Sequence, residues 1–140
     1  MRFRPSARCR RGSTLLEGAF VYPILSFFLL ALAVGGLGMF RYQEVAWLAR
    51  EGARYASVHG AKYHQVTGKP AATPSDVYDN AILPKIVGLD PSQLAYQVTW
   101  KPDNQPGSSV TVTLTYHWVP EALLGGSITL TSTSVVQISY

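Results

Sequence analysis

Cysteine, histidine and charge are all scarce in this chain, and each shortage closes off a class of chemistry. Cys9 is the only cysteine in 140 residues, so no disulfide can form within the chain. It precedes the apolar stretch instead of following it, which argues against a lipid-modified cysteine. The histidines are His59, His64 and His117. They show no H-E-x-x-H or comparable ligand spacing, and no catalytic constellation accompanies them. The expectation is a non-enzymatic protein with no cofactor and no metal. Charged residues make up 14% of the chain, and the 23 residues from Gly18 to Phe40 contain none. The first acidic residue is Glu17. The formal charge of +4 is therefore uneven: Arg2, Arg4, Arg8, Arg10 and Arg11 sit together, and residues 13–140 hold seven basic against eight acidic side chains, a net −1. No basic patch is left for a folded domain, so nucleic acid is not an expected partner.

What is present begins with the uncharged run. At 1.5 Å per residue, Gly18–Phe40 is long enough to cross a hydrocarbon core of roughly 30 Å. The arginines before it mark the cytoplasmic side by the positive-inside rule, which leaves the C-terminal part outside. Between arginines and run stands Arg10-Arg11-Gly12-Ser13-Thr14-Leu15-Leu16-Glu17. A carboxylate at the edge of a membrane segment is costly and asks for a counter-charge. Cutting after Gly12 would create one, the α-amino group of Ser13. This arrangement resembles the leader of class III (type IV-like) prepilins, which a prepilin peptidase cleaves after the glycine. Glu17 then pairs, in such families, with the amine of an adjacent subunit. Pro23 lies inside the run, where it removes a helical hydrogen bond. Three other readings stay open here: a secretory signal peptide, a twin-arginine export signal, and an uncleaved single-span anchor carrying an external binding domain.

Helical character continues past the run. Arg41–His59 contains good helix formers, no proline and one internal glycine, Gly52. Ala46, Ala49, Ala53 and Ala56 fall at steps of three, four and three, a stripe of small residues for close packing. The stripe suits either the protein's own sheet or a helix of a neighbouring subunit. Residues 13–59 are thus expected to form one long helix with its transmembrane segment at 18–40, following a leader at 1–12. Trp47 and Tyr42, just beyond the run, suit the aromatic belt of a membrane interface. Gly35-Gly36-x-Gly38 lies in the apolar run and is no phosphate loop; close packing is its plausible use.

Residues 60–140 are expected to form a small α+β head. Gly60–Thr73 reads as a linker. Thr73-Pro74-Ser75-Asp76 reads as a helix start, and Pro84 as the stop of a short helix. Three strands follow: Leu94–Trp100, Ser109–Val119 and Ile128–Tyr140. The second alternates Val110, Val112, Leu114, Tyr116 and Trp118 against Thr111, Thr113, Thr115 and His117. Lys101–Ser108 is rich in turn formers and predicts a hairpin, while Gly125-Gly126 marks a turn in the longer second connection. A three-stranded antiparallel sheet needs a cover over its apolar face, and the long helix is the candidate.

Taken with the N-terminal motif, Ala49-Arg50-Glu51-Gly52-Ala53-Arg54-Tyr55-Ala56 and the closing strands resemble the TadE-like family of the tight-adherence (Tad/Flp) pilus system. One departure is Gly18, where the family often carries a bulky residue. The resemblance implies a pseudopilin or minor pilin, anchored by a single span in a bacterial inner membrane with its N-terminus cytoplasmic. It implies as partners the prepilin peptidase, other pilin and pseudopilin subunits, inner-membrane pilus assembly proteins and membrane lipid.

Overall fold

The computed structural model describes residues 11–120 and 126–139, with side chains from residue 14 onward. The chain divides into two compact units, Met1–Gly36 and Leu37–Tyr140. Helix α1, Arg11–Val58, contributes to both and keeps Pro23 within it.

In the second unit the sheet is built as its alternation requires. β1 (Leu94–Lys101), β2 (Ser109–Trp118) and β3 (Ile128–Gln137) pair antiparallel in the order β1-β2-β3. The register sets Val98 against Val112 and Val112 against Ser134. β2 is central, and its period of two sorts it cleanly. Val110, Val112, Leu114, Tyr116 and Trp118 are buried, while Thr113 and Thr115 pair their hydroxyls with Thr133 and Thr131 at 3.0 and 3.3 Å on the other face. Fully burying one valine or leucine contributes about 1.5–3 kcal/mol, so this face is the main source of sheet stability. β3 is an edge strand and less covered: Ile128 at its start is exposed, and Ile138, just past its end, is buried.

The cover over the buried face is the second half of α1. A Cβ added at Gly38 would come within 2.7 Å of the Trp118 ring, and one at Gly52 within 3.4 Å of Val112 and 3.2 Å of Ile82. These two glycines are 14 residues apart, about 21 Å along a helix. Trp118 and Val112 are six residues apart in the opposite sense, about 20 Å along a strand. The helix therefore runs antiparallel to β2 and in step with it. Val45, Leu48, Ala49, Ala53 and Ala56 are fully buried in this layer, joined by Val77 and Ile82. The α+β arrangement expected from the sequence, a long N-terminal helix on a three-stranded antiparallel sheet, is the one observed.

Several boundaries differ from expectation. Gly60–Thr73 is not an unstructured linker: α2 (Ala61–Thr67) forms in it, closed by Gly68, whose φ of 72° no β-carbon favours. Thr73 caps α3 (Pro74–Val77) as expected, with a full capping box to Asp76. Pro84 does not stop the helix. α3 passes into a π turn at Tyr78–Ile82 and a 3-10 turn at Leu83–Lys85, and Pro84 sits early in the latter, where its missing N–H is not needed. The last strand ends at Gln137, short of Tyr140, because Ser139 donates to the Ser57 carbonyl at the end of α1 (2.9 Å). The Lys101–Ser108 hairpin is present, with Asp103 accepting from Ser108 Oγ at 2.6 Å and Gly107 at a φ of 93°. The Gly125 half of the expected second turn lies outside the described residues.

Candidate functional site

In the first unit, α1 carries its large side chains outward. Leu15, Phe20, Ile24 and Phe27 are 69–76% exposed, and the apolar window of this helix has no buried share. It is the one helix among the described residues long and apolar enough to cross a membrane. Glu17 is exposed on that surface. The ion pair among the described residues is Lys85 with Glu51, and Glu17 has no counter-charge there. Arg11, Gly12 and Ser13 belong to the first turns of α1, but their side chains, and Arg10 entirely, lie outside the described residues.

In the second unit the small-residue stripe is brought together on one face. Ala49, Ala53 and Ala56 are fully buried and Ala46 is half-buried. Arg41, the first charge after the apolar run, is turned toward the sheet. Its guanidinium donates to the Tyr116 hydroxyl at 3.2 Å and lies 5.2 Å over the Trp118 ring. A cation on an indole face is worth about 0.5–1 kcal/mol when exposed and more when desolvated.

Clefts open at several places on the same unit. The first, about 290 Å³, is lined by Tyr55, His59, Tyr63, Lys69, Asp76 and Asn80. Tyr55 and His59 stack at 4.0 Å and His59 meets Tyr63 at 4.5 Å. His59 Nδ1 donates to the Tyr55 carbonyl at 2.9 Å, which fixes the ring. Burial, then the nearby Asp76 and Tyr63, raise the Tyr55 hydroxyl above its ordinary pKa. Asp76 is already committed: the Thr73 hydroxyl and backbone N–H hold its carboxyl below the usual range.

The second cleft, about 410 Å³, lies between α1 and the segment after the 3-10 turn, among Phe40, Gln43, Glu44, Trp47, Lys85 and Val87. Glu44 is 9% exposed. Its Oε1 accepts the Val87 N–H at 2.6 Å, and its Oε2 is buried with no donor among the described residues. Lys85 stands 5.8 Å from the Trp47 ring and bonds Glu51 at 2.6 Å, which lowers the Glu51 pKa chiefly through that hydrogen bond. Among the described residues, no three His, Cys, Asp or Glu side chains gather as a metal site would require.

The sequence does not single out Glu44, and this cleft is missed from it. The partner of Glu44 is a backbone N–H 43 positions away, which leaves no mark on the sequence. Comparison with protein-family models, with curated proteins and with solved structures finds no match to this chain.

Proposed function

We propose that this protein is a membrane-anchored pseudopilin or minor pilin of a Tad/Flp-type IV pilus, matured by prepilin peptidase cleavage after Gly12. The observation that carries the reading is Glu17: a carboxylate on an exposed apolar helix, with no counter-charge among the described residues, five residues beyond a glycine that follows two arginines. In a bilayer such a group needs a cation from elsewhere. Cleavage at Gly12 supplies one to each subunit, and a neighbour in register presents it to Glu17. The division of labour along α1 supports the same reading. Its first stretch offers large apolar side chains to the surroundings, and its second anchors the head by close packing. The resemblance of residues 10–59 to TadE-like proteins adds the system, the bacterial inner membrane and the cytoplasmic side of the N-terminus.

Mass spectrometry of the protein extracted from membranes of cells with an active prepilin peptidase is the test. Ser13 is the expected N-terminus, and Gly12→Leu is expected to leave an uncleaved precursor. An intact Met1 or Arg2 terminus in the wild type makes the protein an uncleaved single-span anchor with an external domain, and the pilin reading falls.

A further inference from the structure

β3 is an outer strand of the sheet, and its free edge is unguarded. Its ten residues, Ile128–Gln137, include no charge, no proline and no glycine. Charged side chains and prolines are what keep an edge strand from pairing with another chain. The opposite edge has them: β1 ends in Lys101 with Pro102 behind it, and Tyr78 stacks on Tyr96 at 4.5 Å.

The direction of the backbone groups on β3 follows from its end. Ile138 donates to the Ser108 carbonyl at 2.8 Å and accepts from the Gly107 N–H at 3.0 Å, so both of its groups point toward β2. The Ser139 N–H points away, to Ser57. Directions alternate along a strand, which sends the N–H and C=O of Thr129, Thr131, Thr133, Val135 and Gln137 outward. The side chains agree. Thr133 meets Thr113 at 3.0 Å and Thr131 meets Thr115 at 3.3 Å, the close approach of opposed residues that share no backbone bond. Among the described residues, no backbone bond reaches this outer edge.

The residues of β3 select the occupant. Read outward from Thr133 in both directions, the strand nearly repeats itself: Ser132 and Ser134, Thr131 and Val135, Leu130 and Val136, Thr129 and Gln137. Such a strand is complementary to a reversed copy of itself centred on Thr133. Every outward N–H and C=O then finds a partner, since Thr129 meets Gln137, Thr131 meets Val135 and Thr133 meets its own copy. On the inner face Leu130 meets Val136 and Ser132 meets Ser134, all of them half-buried in the single chain. No like charges are opposed. α1 leaves room as well: it lies over β2, and the two copies of β2 are three strand spacings apart, about 14 Å, beyond the roughly 8–10 Å at which helices touch.

We propose that β3 pairs antiparallel with β3 of a second copy of this chain about a two-fold axis at Thr133, joining two heads in one continuous sheet. Within the second unit β3 runs parallel to α1, because both are antiparallel to β2. The pair therefore sets the two Leu37 ends at opposite ends of the joint sheet. Copies side by side in one bilayer hold those ends together, so this contact joins heads presented from opposite sides. That last step rests on the membrane-anchor part of the functional reading; the strand pairing does not, and neither uses cleavage at Gly12.

A single strand pair is a small, transient contact, so the experiment traps it by disulfide cross-linking of the full chain in detergent, with Cys9→Ser as background and copper phenanthroline as oxidant. Opposed residues in a hydrogen-bonded antiparallel pair have Cα atoms about 5.5 Å apart, within disulfide reach. Thr133→Cys is expected to give a covalent dimer by itself. Thr129→Cys and Gln137→Cys are each expected to stay monomeric alone and to cross-link when mixed, and adding Thr133→Lys to both is expected to abolish that product. Should Thr133→Cys unfold, Thr131→Cys mixed with Val135→Cys tests the same register. Self-cross-linking of Thr129→Cys alone indicates parallel neighbours and overturns the proposal. Equal cross-linking at every exposed position, or preference for Lys101→Cys on the other edge, overturns it too. With the Thr129→Cys and Gln137→Cys proteins in separate vesicle populations, the cross-link is expected to form between populations; its formation only within one bilayer overturns the opposed arrangement. Protein that fails to enter vesicles sinks the membrane reading, while the detergent result still decides the strand pairing.

Discussion

Residues 15–30 of α1 carry leucines and phenylalanines, with the other large apolar side chains there, that are 49–76% exposed. Residues 45–56 carry alanines, a glycine, a valine and a leucine, and most of these are buried. One helix thus leaves its bulk exposed, uncovered by any other element among the described residues, and puts its small residues where it touches the sheet. Hydrophobicity alone would rank the first stretch as core and the second as marginal, which is the reverse of what packing does. Large side chains hold a helix in an apolar solvent; small ones let its backbone come close to a partner. The same contrast appears in the glycines. Gly35 and Gly36 have nothing within 4 Å of a would-be Cβ, whereas Gly38 has the Trp118 ring at 2.7 Å.

The largest effect that would break this contrast concerns Glu17. Glu17→Ala is expected to leave membrane insertion and cleavage intact and to abolish incorporation into pili, read by sheared-fibre yield from cells. Normal piliation would mean that the exposed half of α1 is only an anchor. Next, Ala53→Trp is expected to cost about 1–3 kcal/mol by overpacking, a fall in melting midpoint of roughly 4 °C or more for a unit of this size. Leu25→Ala, in the exposed half, is expected to leave the midpoint of the full chain in detergent unchanged. Gly38→Ala sharpens the comparison further. Helix propensity favours alanine by about 1 kcal/mol at either glycine, so Gly35→Ala is expected to be neutral or stabilising. Gly38→Ala is expected to lower the midpoint because a buried indole must move.

The smallest effect belongs to the Thr73 cap. Thr73→Ala is expected to cost about 1 kcal/mol. Asp76, whose pKa is lowered by that same hydroxyl and by the Thr73 N–H, gives the cap a pH dependence of known sign. Its stabilisation is whole above the ordinary aspartate range near pH 4 and is lost as the pH falls through the lowered folded value. The wild-type midpoint is therefore expected to drop more than that of Asp76→Asn between pH 5 and pH 2. Parallel curves would show the carboxylate to be idle.

How much of this was legible in the residues depended on the range of the interactions. β2 could be read residue by residue because a half-buried strand writes its period of two directly into Val110–Trp118. The Thr73 cap was legible because donor and acceptor are three positions apart. α2 was missed because two flanking glycines look like loop markers, and only Gly68's left-handed backbone reveals that one of them closes a helix. The passage through Pro84 was missed because a 3-10 turn tolerates a proline that an α-helix interior does not. The alanine stripe was legible as a contact surface, yet its periodicity could not name the partner; Gly52 against Val112 does. The Glu44 cleft was out of reach because it is made by a side chain and a distant backbone amide.

The antiparallel run of α1 along β2 has a mechanical consequence. A load applied at Leu37 along the helix axis slides α1 past β2 instead of peeling it away. The contacts of Gly38 with Trp118, Arg41 with Tyr116, Gly52 with Val112 and Ser57 with Ser139 are spread over the length of that interface. In shear they bear tension simultaneously, and the helix advances only if all yield at once. In a zipper geometry they would fail in sequence at a far lower force. The Trp118 ring over Gly38 and the Val112–Ile82 ridge over Gly52 act as two pawls on one rack. Within the second unit, a head joined in this way to its helix resists a pull applied along the helix axis at Leu37.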